Sequence, residues 1–269
     1  MPELPEVETT RRGITPHLRD RHIASVVLRQ RQLRWPVPDE VAGLRDAAVA
    51  AVTRRAKFLL VDLPGGQMLM HLGMSGTLRV LPANTPPGKH DHADFLLDSG
   101  RILRFNDPRR FGALLWTATP GAHPLLDHLG PEPLGPDFDG ALLYRRSRGR
   151  KQSIKTFIMD NRTVVGVGNI YAQESLFLAG IHPSRPAGRV SAARYDRLAM
   201  AIRDVLTRAI AAGGTTLRDF SSAEGKPGYF SQALAVYGRD GLPCQRCGAV
   251  LRLARHGQRS TTYCAVCQT

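Results

Sequence analysis

The chain of 269 residues is 42% hydrophobic, which is enough for ordinary protein cores and suggests about two domains. Its 37 lysines and arginines against 23 acidic residues give a net charge of +14, and this excess favours a polyanionic partner. No run of about 18 apolar residues occurs, which argues against a membrane-spanning helix. The first residues are acidic and proline-rich, unlike a secretory signal, so we expect a cytoplasmic protein.

The N-terminal half is predicted to be one helix followed by β-structure. Pro5 suits the first turn of a helix, Glu6 and Glu8 suit its positive end, and apolar residues at helical spacing extend it to about Leu18. Short β-like segments separated by turn signals then predict a β-sandwich or flattened barrel. The predicted strands are 23–28, 58–63, 68–72, 77–81, 95–97, 102–105 and 113–116.

The C-terminal half has a different character. Residues 119–140 contain five prolines and four glycines and predict an interdomain connection. Beyond it we predict a helix over 169–179, and a long helix that Ser191 caps and that ends near Ala212, before two glycines. The predicted fold class is therefore a multidomain α+β protein with a β-rich N-terminal half and a helical C-terminal half.

All four cysteines lie in the last 26 residues, in the pattern C-x2-C-x16-C-x2-C. Two close pairs separated by a short loop can place four thiolates around one tetrahedral Zn²⁺. Because no coordination position stays open, such a site is structural. The alternative is two disulfides, which seldom lie at one end of an otherwise cysteine-free chain. We expect one structural zinc, held by Cys244, Cys247, Cys264 and Cys267.

The cysteine-rich tail is also basic. No acidic residue occurs between positions 241 and 269, and the arginines there are Arg246, Arg252, Arg255 and Arg259. A zinc-held hairpin of this composition predicts a phosphate-binding surface. A basic protein–protein module is the alternative reading of the same residues.

The N-terminus offers a possible nucleophile. If Met1 is removed, Pro2 becomes a secondary amine that can attack an electrophilic carbon and form an iminium. Glu3 and Glu6 stand close by in the sequence and could move protons. The residues alone favour a plainer interpretation, in which this segment is only the start of a helix.

Eight sequence blocks are distributed along nearly the whole chain: 2–9 (PELPEVET), 54–57 (RRAK), 71–76 (HLGMSG), 89–92 (KHDH), 107–112 (DPRRFG), 164–172 (VVGVGNIYA), 213–217 (GGTTL) and 225–230 (GKPGYF). The zinc tail adds Gln258 and Arg259 before Cys264. In composition and in order, these blocks and the tail resemble those of the bacterial formamidopyrimidine-DNA glycosylase (Fpg, MutM) family.

The resemblance implies a monomeric base-excision-repair enzyme acting on double-stranded DNA. It would excise oxidised purines, namely 8-oxoguanine and formamidopyrimidines, and nick the abasic strand by β,δ-elimination. It also implies a β-sandwich catalytic domain over 1–130, a helical helix-two-turn-helix domain over 131–235 and a zinc finger over 236–269. Pro2 would be the nucleophile, Glu3 the acid/base partner and Lys57 an assistant in elimination. Arg259, at the tip of the zinc hairpin, would belong to the catalytic set and reach phosphates flanking the flipped nucleotide.

The resemblance also implies contacts with DNA. The reacting nucleotide must leave the base stack, and Met74, Arg109 and Phe111 would fill the gap that it leaves. By composition alone, Met74 and Phe111 would instead be core residues. His90 and Asn169 are further expected contacts.

Two segments are expected to approach the DNA without a single residue being identified. The run from Arg145 to Lys155 contains no acidic residue and predicts phosphate contact. Many relatives use lysine where this run has arginine. We name Lys151 as the expected DNA contact within the run. The polar loop 215–229 would close over the everted base and govern preference for 8-oxoguanine.

Two other functions stay open at this point. An endonuclease VIII-like enzyme would excise oxidised pyrimidines, but that branch begins Pro-Glu-Gly-Pro-Glu, whereas this chain has Leu4. A non-catalytic, zinc-dependent DNA-binding protein is the second alternative, against which Pro2, Glu3 and Lys57 argue.

Overall fold

The computed structural model describes residues 2–214 and 234–269, which form two compact units. Among these residues, the N-terminal unit comprises 2–127 and 212–214, and the C-terminal unit comprises 128–211 and 234–269. The boundary at Asp127 and His128 falls inside the predicted connection 119–140. The three predicted domains, with boundaries at 130/131 and 235/236, stay a prediction.

The predicted N-terminal helix is confirmed as α1 (Leu4–Leu18). Its first turn is stabilised by a hydrogen bond of 2.8 Å from the Glu3 N–H to Glu6 Oε2. The apolar face of α1 is buried, with Ile14 fully inaccessible to solvent. Burial of this face fixes the helix on the sheets beside it.

The N-terminal unit is a sandwich of two antiparallel sheets, as predicted. The larger sheet has the strand order β2-β1-β7-β8-β6, and the smaller has the order β3-β4-β5-β9. One hydrophobic core contains side chains from both sheets and from α1. The elements after α1 are β1 (His22–Leu28), α2 (Asp39–Ala42), β2 (Arg45–Ala48), β3 (Ala51–Arg55), β4 (Phe58–Leu63), β5 (Gly66–His71), β6 (Thr77–Pro82), β7 (Asp91–Leu97), β8 (Arg101–Asn106) and β9 (Ala113–Thr117).

Every predicted strand is present, and the structure adds β2 and β3. Both strands are short and largely polar, and each has a single buried residue, Ala47 in β2 and Val52 in β3. Their alternation is therefore too weak to mark a strand in the sequence. Pairing with β1 and β4 determines their conformation instead.

The C-terminal unit contains four α-helices and a β-hairpin in its described residues. The elements are α3 (Gly140–Ser147), α4 (Ile154–Met159), α5 (Asn169–Leu178), α6 (Ala192–Ala211), β10 (Arg252–His256) and β11 (Arg259–Tyr263). The predicted helices correspond to α5 and α6, while α3 and α4 were not predicted. Both have a side-chain N-cap, since Asp139 accepts from the Leu142 N–H and Ser153 from the Thr156 N–H.

In the part of the chain that the structure describes, no helix combines the length and the apolar character needed to cross a bilayer.

A buried carboxylate joins α1 to the smaller sheet. Glu8 accepts hydrogen bonds from Arg11 and Arg12 on its own helix, and from Arg54 of β3 at 3.2 Å. Burial acts to raise the pKa of Glu8, but the hydrogen bonds and positive charges of these arginines outweigh it and lower the pKa to about 2. Arg54 also donates to the Ala56 carbonyl at 2.8 Å, so the cluster reaches the turn after β3.

We predict that Glu8→Gln destabilises the protein at neutral pH by about 2 kcal/mol, since charged hydrogen bonds are lost. The pKa is lower in the folded chain than its ordinary 4.5, so this contribution is present above pH 4.5 and lost as the pH falls toward 2. Urea midpoints between about pH 6 and pH 3 should therefore converge for wild type and variant. The exposed Glu40→Gln variant is the control. A constant difference across this range would contradict the prediction.

Candidate active site and DNA-binding surfaces

Lys57 lies in a strained two-residue turn. Arg55 pairs with Phe58 across the β3–β4 hairpin, which leaves Ala56 and Lys57 to reverse the chain. Ala56 has a φ of +53°, a conformation that costs an alanine about 1 kcal/mol, and its side chain is buried. The hydrogen bond from Arg54 to the Ala56 carbonyl holds this turn. The hairpin therefore presents Lys57 in a fixed place.

Pro2 and Glu3 are both buried at the start of α1. Gly214, in the same unit, lies against this end of the helix, because a Cβ built on Gly214 would come within 3.2 Å of Glu6 Oε1. Its φ of +82° also favours glycine. The segment 215–229, for which we predicted base recognition, lies outside the described residues.

A neutral histidine lies near Lys57. The Gly73 N–H donates to His71 Nδ1 at 3.0 Å, so Nε2 carries the ring proton. Burial, and then the charges of Lys57 and Arg34, lower the pKa of His71 to about 4. His71 thus supplies an N–H donor without a positive charge at neutral pH. Its block resembled the family, but the sequence analysis gave His71 no role.

Three residues expected to enter the DNA stack are exposed on two neighbouring loops. Met74 is 36% exposed and Phe111 is 43% exposed, so neither is a core residue. The Arg109 guanidinium lies 4.9 Å from the centre of the Phe111 ring. Gly73 has a φ of +62°, and its Cβ would lie 2.4 Å from the Phe111 carbonyl carbon, so only glycine allows the loops to approach this closely. We call Met74, Arg109 and Phe111 the wedge.

In the C-terminal unit, Lys155 of α4 lies beside Asn169. Lys155 is 1% exposed, and its Nζ donates to Asn169 Oδ1 at 2.6 Å. The same Nζ donates to Thr261 Oγ1 at 2.6 Å and to the Ser260 carbonyl at 3.2 Å. Lys151 is exposed. Lys155 therefore fastens α4 to α5 and to the zinc hairpin.

Asn169 is the first residue of α5 and follows the turns 160–168 after α4. Since its Oδ1 accepts from Lys155, its side-chain NH₂ remains as a donor at the positive end of the helix. This is a suitable position for an anion such as a phosphate.

Arg259 begins β11 and pairs with His256, so only Gly257 and Gln258 separate the two strands. Gly257 has a φ of +59°, which suits a tight turn. Arg259 is exposed beside this tip. The predicted position of Arg259 at the tip of the hairpin is therefore confirmed.

The four cysteine sulfurs lie within 4.8 Å of one another. Cys244 and Cys267 are 4.0 Å apart at Sγ, and Cys247 and Cys264 are 3.5 Å apart. A tetrahedral zinc with bonds of about 2.3 Å needs sulfur separations near 3.8 Å, whereas a disulfide bond measures about 2.05 Å. The thiols are free, so the donor set fits a zinc site and not two disulfides.

Two polar side chains of α5 dock the zinc-binding segment. Gln173 accepts from the Thr262 N–H at 2.6 Å and donates to the Ser260 carbonyl at 3.3 Å. The Glu174 carboxylate accepts three consecutive backbone N–H groups, from Ala235, Val236 and Tyr237. Neither residue could be identified from the sequence, because nothing in a helical pattern shows which distant backbone a polar side chain meets.

Family models cover most of this chain. The model of the formamidopyrimidine-DNA glycosylase N-terminal domain matches residues 1–114, and the model of its H2TH domain matches 129–221. A zinc finger found in FPG and IleRS matches 241–269. A formamidopyrimidine-DNA glycosylase from Alcanivorax borkumensis is 63% identical over 268 residues and covers 100% of both chains. The chain belongs to the formamidopyrimidine-DNA glycosylase family.

Solved structures of the family share the fold. The MutM (Fpg) protein from Thermus thermophilus superposes with a TM-score of 0.89 at 39% identity, covering 99% of this chain and 98% of that one. Lactococcus lactis Fpg, in complex with DNA that contains an abasic site, gives a TM-score of 0.90 at 31% identity, covering 99% of each chain. The predicted sandwich, helix-two-turn-helix and zinc finger are therefore confirmed as a fold class.

We predict that Cys247→Ser loses bound zinc and DNA affinity together, the affinity by roughly tenfold or more, because the hairpin that carries Arg259 is held by the metal. Metal analysis and fluorescence anisotropy on a duplex would measure the two losses. Val266→Ala, which changes an exposed residue of the same segment, is the matched control. Full DNA affinity in a zinc-free protein would contradict this role for the metal.

Proposed function

We propose that the chain removes oxidised purines, namely 8-oxoguanine and formamidopyrimidines, from double-stranded DNA and then cleaves the abasic strand. Membership of the family makes it a DNA glycosylase of base excision repair. The observation that supports the rest is the buried Pro2–Glu3 start of α1, in a unit that also fixes the Lys57 turn.

In the proposed reaction, the secondary amine of Pro2 attacks C1′ of the damaged nucleotide. A bond forms between nitrogen and C1′ while the bond from C1′ to the base breaks, and the base leaves with a proton. The nitrogen then loses its own proton, and opening of the C1′–O4′ bond, with a proton added to O4′, gives an iminium. The resulting iminium makes the C2′ proton acidic, so β-elimination can break the bond to the 3′ oxygen and δ-elimination the bond to the 5′ oxygen. Water then releases the protein from the sugar fragment.

Neighbouring groups support this chemistry. Glu3, which is buried and directly follows Pro2 in the chain, moves protons at the reacting sugar. The ammonium of Lys57 assists elimination by stabilising negative charge on the phosphate that leaves. His71, neutral and with its proton on Nε2, adds a donor near Lys57 without competing for that charge.

The proposed DNA contacts come from the wedge and from a set of polar and basic side chains. The wedge fills the gap left by the everted nucleotide, with Arg109 bonding to the orphaned base. His90, Asn169 and Arg259 contact phosphates, and the Lys151 region adds further positive charge. The loop 215–229 selects the everted base. We also propose that the protein acts as a monomer and holds one zinc.

Two alternatives differ in what they bind and cleave. An enzyme for oxidised pyrimidines would act on a duplex that contains an oxidised pyrimidine and leave 8-oxoguanine in place. A non-catalytic DNA-binding protein would bind both duplexes and form no covalent adduct with either.

We predict that borohydride traps a covalent protein–DNA adduct on an 8-oxoguanine duplex, because reduction converts the iminium into a stable amine. Pro2→Gly should reduce trapping by roughly a hundredfold or more. Peptide mapping locates the attachment, and a duplex with an oxidised pyrimidine runs in parallel. Glu40→Gln serves as the control. Attachment at Lys57 or another lysine would overturn the proposed mechanism, and no adduct on either duplex would favour the non-catalytic alternative.

We predict that Arg259→Ala weakens DNA binding and reduces the slope of log affinity against log salt by about 1, as expected for one lost phosphate contact. The measurement is a salt titration by anisotropy on duplexes with and without a lesion. Arg252→Ala, an exposed arginine at the far end of the same hairpin, is the matched control. Equal effects of the two substitutions would mean that only net charge matters.

A further inference from the structure

Asp107 is a fully buried carboxylate at the junction of the loops that carry the proposed DNA contacts. Its exposed fraction is 0%. It directly follows β8 and opens the loop 107–112, which contains two members of the wedge. Asp107 lies in one of the blocks that resemble the family, but the sequence pattern indicated no role for it.

The carboxylate of Asp107 binds both wedge loops. Oδ1 accepts from the Ser75 hydroxyl at 2.7 Å, next to Met74, and from the Arg109 N–H at 3.3 Å. Oδ2 accepts from the Gly112 N–H at 2.7 Å, directly after Phe111. Each of the three wedge residues thus either donates to this carboxylate or adjoins a residue that does.

The backbone of Asp107 reaches a third loop. Its N–H donates to the His90 carbonyl at 3.0 Å, and its own carbonyl accepts from His92 Nε2 at 2.8 Å. The position of the proposed phosphate contact at His90 is therefore coupled to the position of the wedge.

The loop 107–112 does not hold its shape through local preferences. Arg110 has a φ of +54°, which is unfavourable for arginine. A Cβ on Gly112 would lie 2.6 Å from Phe105 Cζ, so the chain is pressed against the core there. The hydrogen bonds to Asp107 offset this strain, since a carboxylate can accept all three donors while an amide cannot.

We propose that Asp107 is a positioning residue for base eversion: it keeps the wedge in the shape that enters the stack before DNA arrives. Ordering exposed side chains only upon insertion would add an entropic cost to that step, and preorganisation removes it. This inference rests on the proposed function, because it assumes that the wedge fills the gap left by the everted nucleotide.

The test is Asp107→Asn, which places an NH₂ group against a backbone or hydroxyl donor. We expect single-turnover excision of 8-oxoguanine opposite cytosine to fall roughly tenfold. Nicking of a preformed abasic site, where no base has to leave the stack, should stay within about twofold of wild type. A fluorescent base analogue in the orphaned position should report slower unstacking. Asp98→Asn, an exposed acid in the β7–β8 turn, is the matched control.

A milder variant and a double-mutant cycle separate positioning from folding. Ser75→Ala removes one donor to Oδ1 and should cause a smaller loss in excision with the same sparing of abasic nicking. In a Phe111→Ala background, Asp107→Asn should add little, because the two residues act on one step. Equal losses on both substrates, or full additivity in the cycle, would overturn the proposal.

The proposed function of the wedge and the proposed role of Asp107 can be tested separately. If Phe111→Ala and Met74→Ala leave 8-oxoguanine excision unchanged, the wedge part of the proposed function is wrong, and the role of Asp107 is wrong with it. If those variants impair excision but Asp107→Asn and Ser75→Ala do not, only the role of Asp107 is wrong.

Discussion

The ammonium group of Lys155 is buried, and its hydrogen bonds to Asn169, Ser260 and Thr261 join two helices to the zinc hairpin. A buried charge is costly unless its donors are satisfied, and here the acceptors come from separate segments. Those segments must therefore keep one arrangement. Gln173 and Glu174 add bonds from α5 to the same region. Asn169 and the exposed Arg259, whose donors we expect to meet phosphate, depend on this buried network for their positions.

A buried charge whose acceptors come from separate segments also occurs in the N-terminal unit. Arg104 is 2% exposed and binds both carboxylate oxygens of Asp94, at 2.7 and 2.8 Å. It also donates to the carbonyls of Thr85 and Pro86, and the carboxylate of Asp91 accepts from the Gly88 N–H. The loop before His90 has no regular backbone pairing, and these buried charges take its place. Buried hydrogen bonds thus fix the exposed loop that leads to His90.

In both units, the residues proposed to contact DNA differ from the buried polar residues that hold them in position. Several residues proposed to touch DNA lie on short turns that contain a non-glycine residue with positive φ, namely the Ala56–Lys57 turn and the loop 107–112. Strained turns persist only when surrounding bonds determine them. Buried polar groups such as Arg54 and Asp107 supply those bonds without meeting the substrate. Substitution of these buried residues should therefore change reaction rates by moving the DNA-contacting residues, and not by removing a reacting group.

By itself, the sequence determined the features that depend on residues close together in the chain. The cysteine spacing predicted the metal site, the N-terminal prolines and acids predicted α1, and the resemblance to the family located Pro2, Lys57 and the wedge. Only the tertiary structure decided that Lys155 lies beside Asn169, and that Asp107 joins three loops. The reason is distance along the chain: Lys155 and Thr261 are 106 positions apart. Periodicity and caps record neighbours within a few residues, whereas a buried polar group is defined by partners that only folding brings to it.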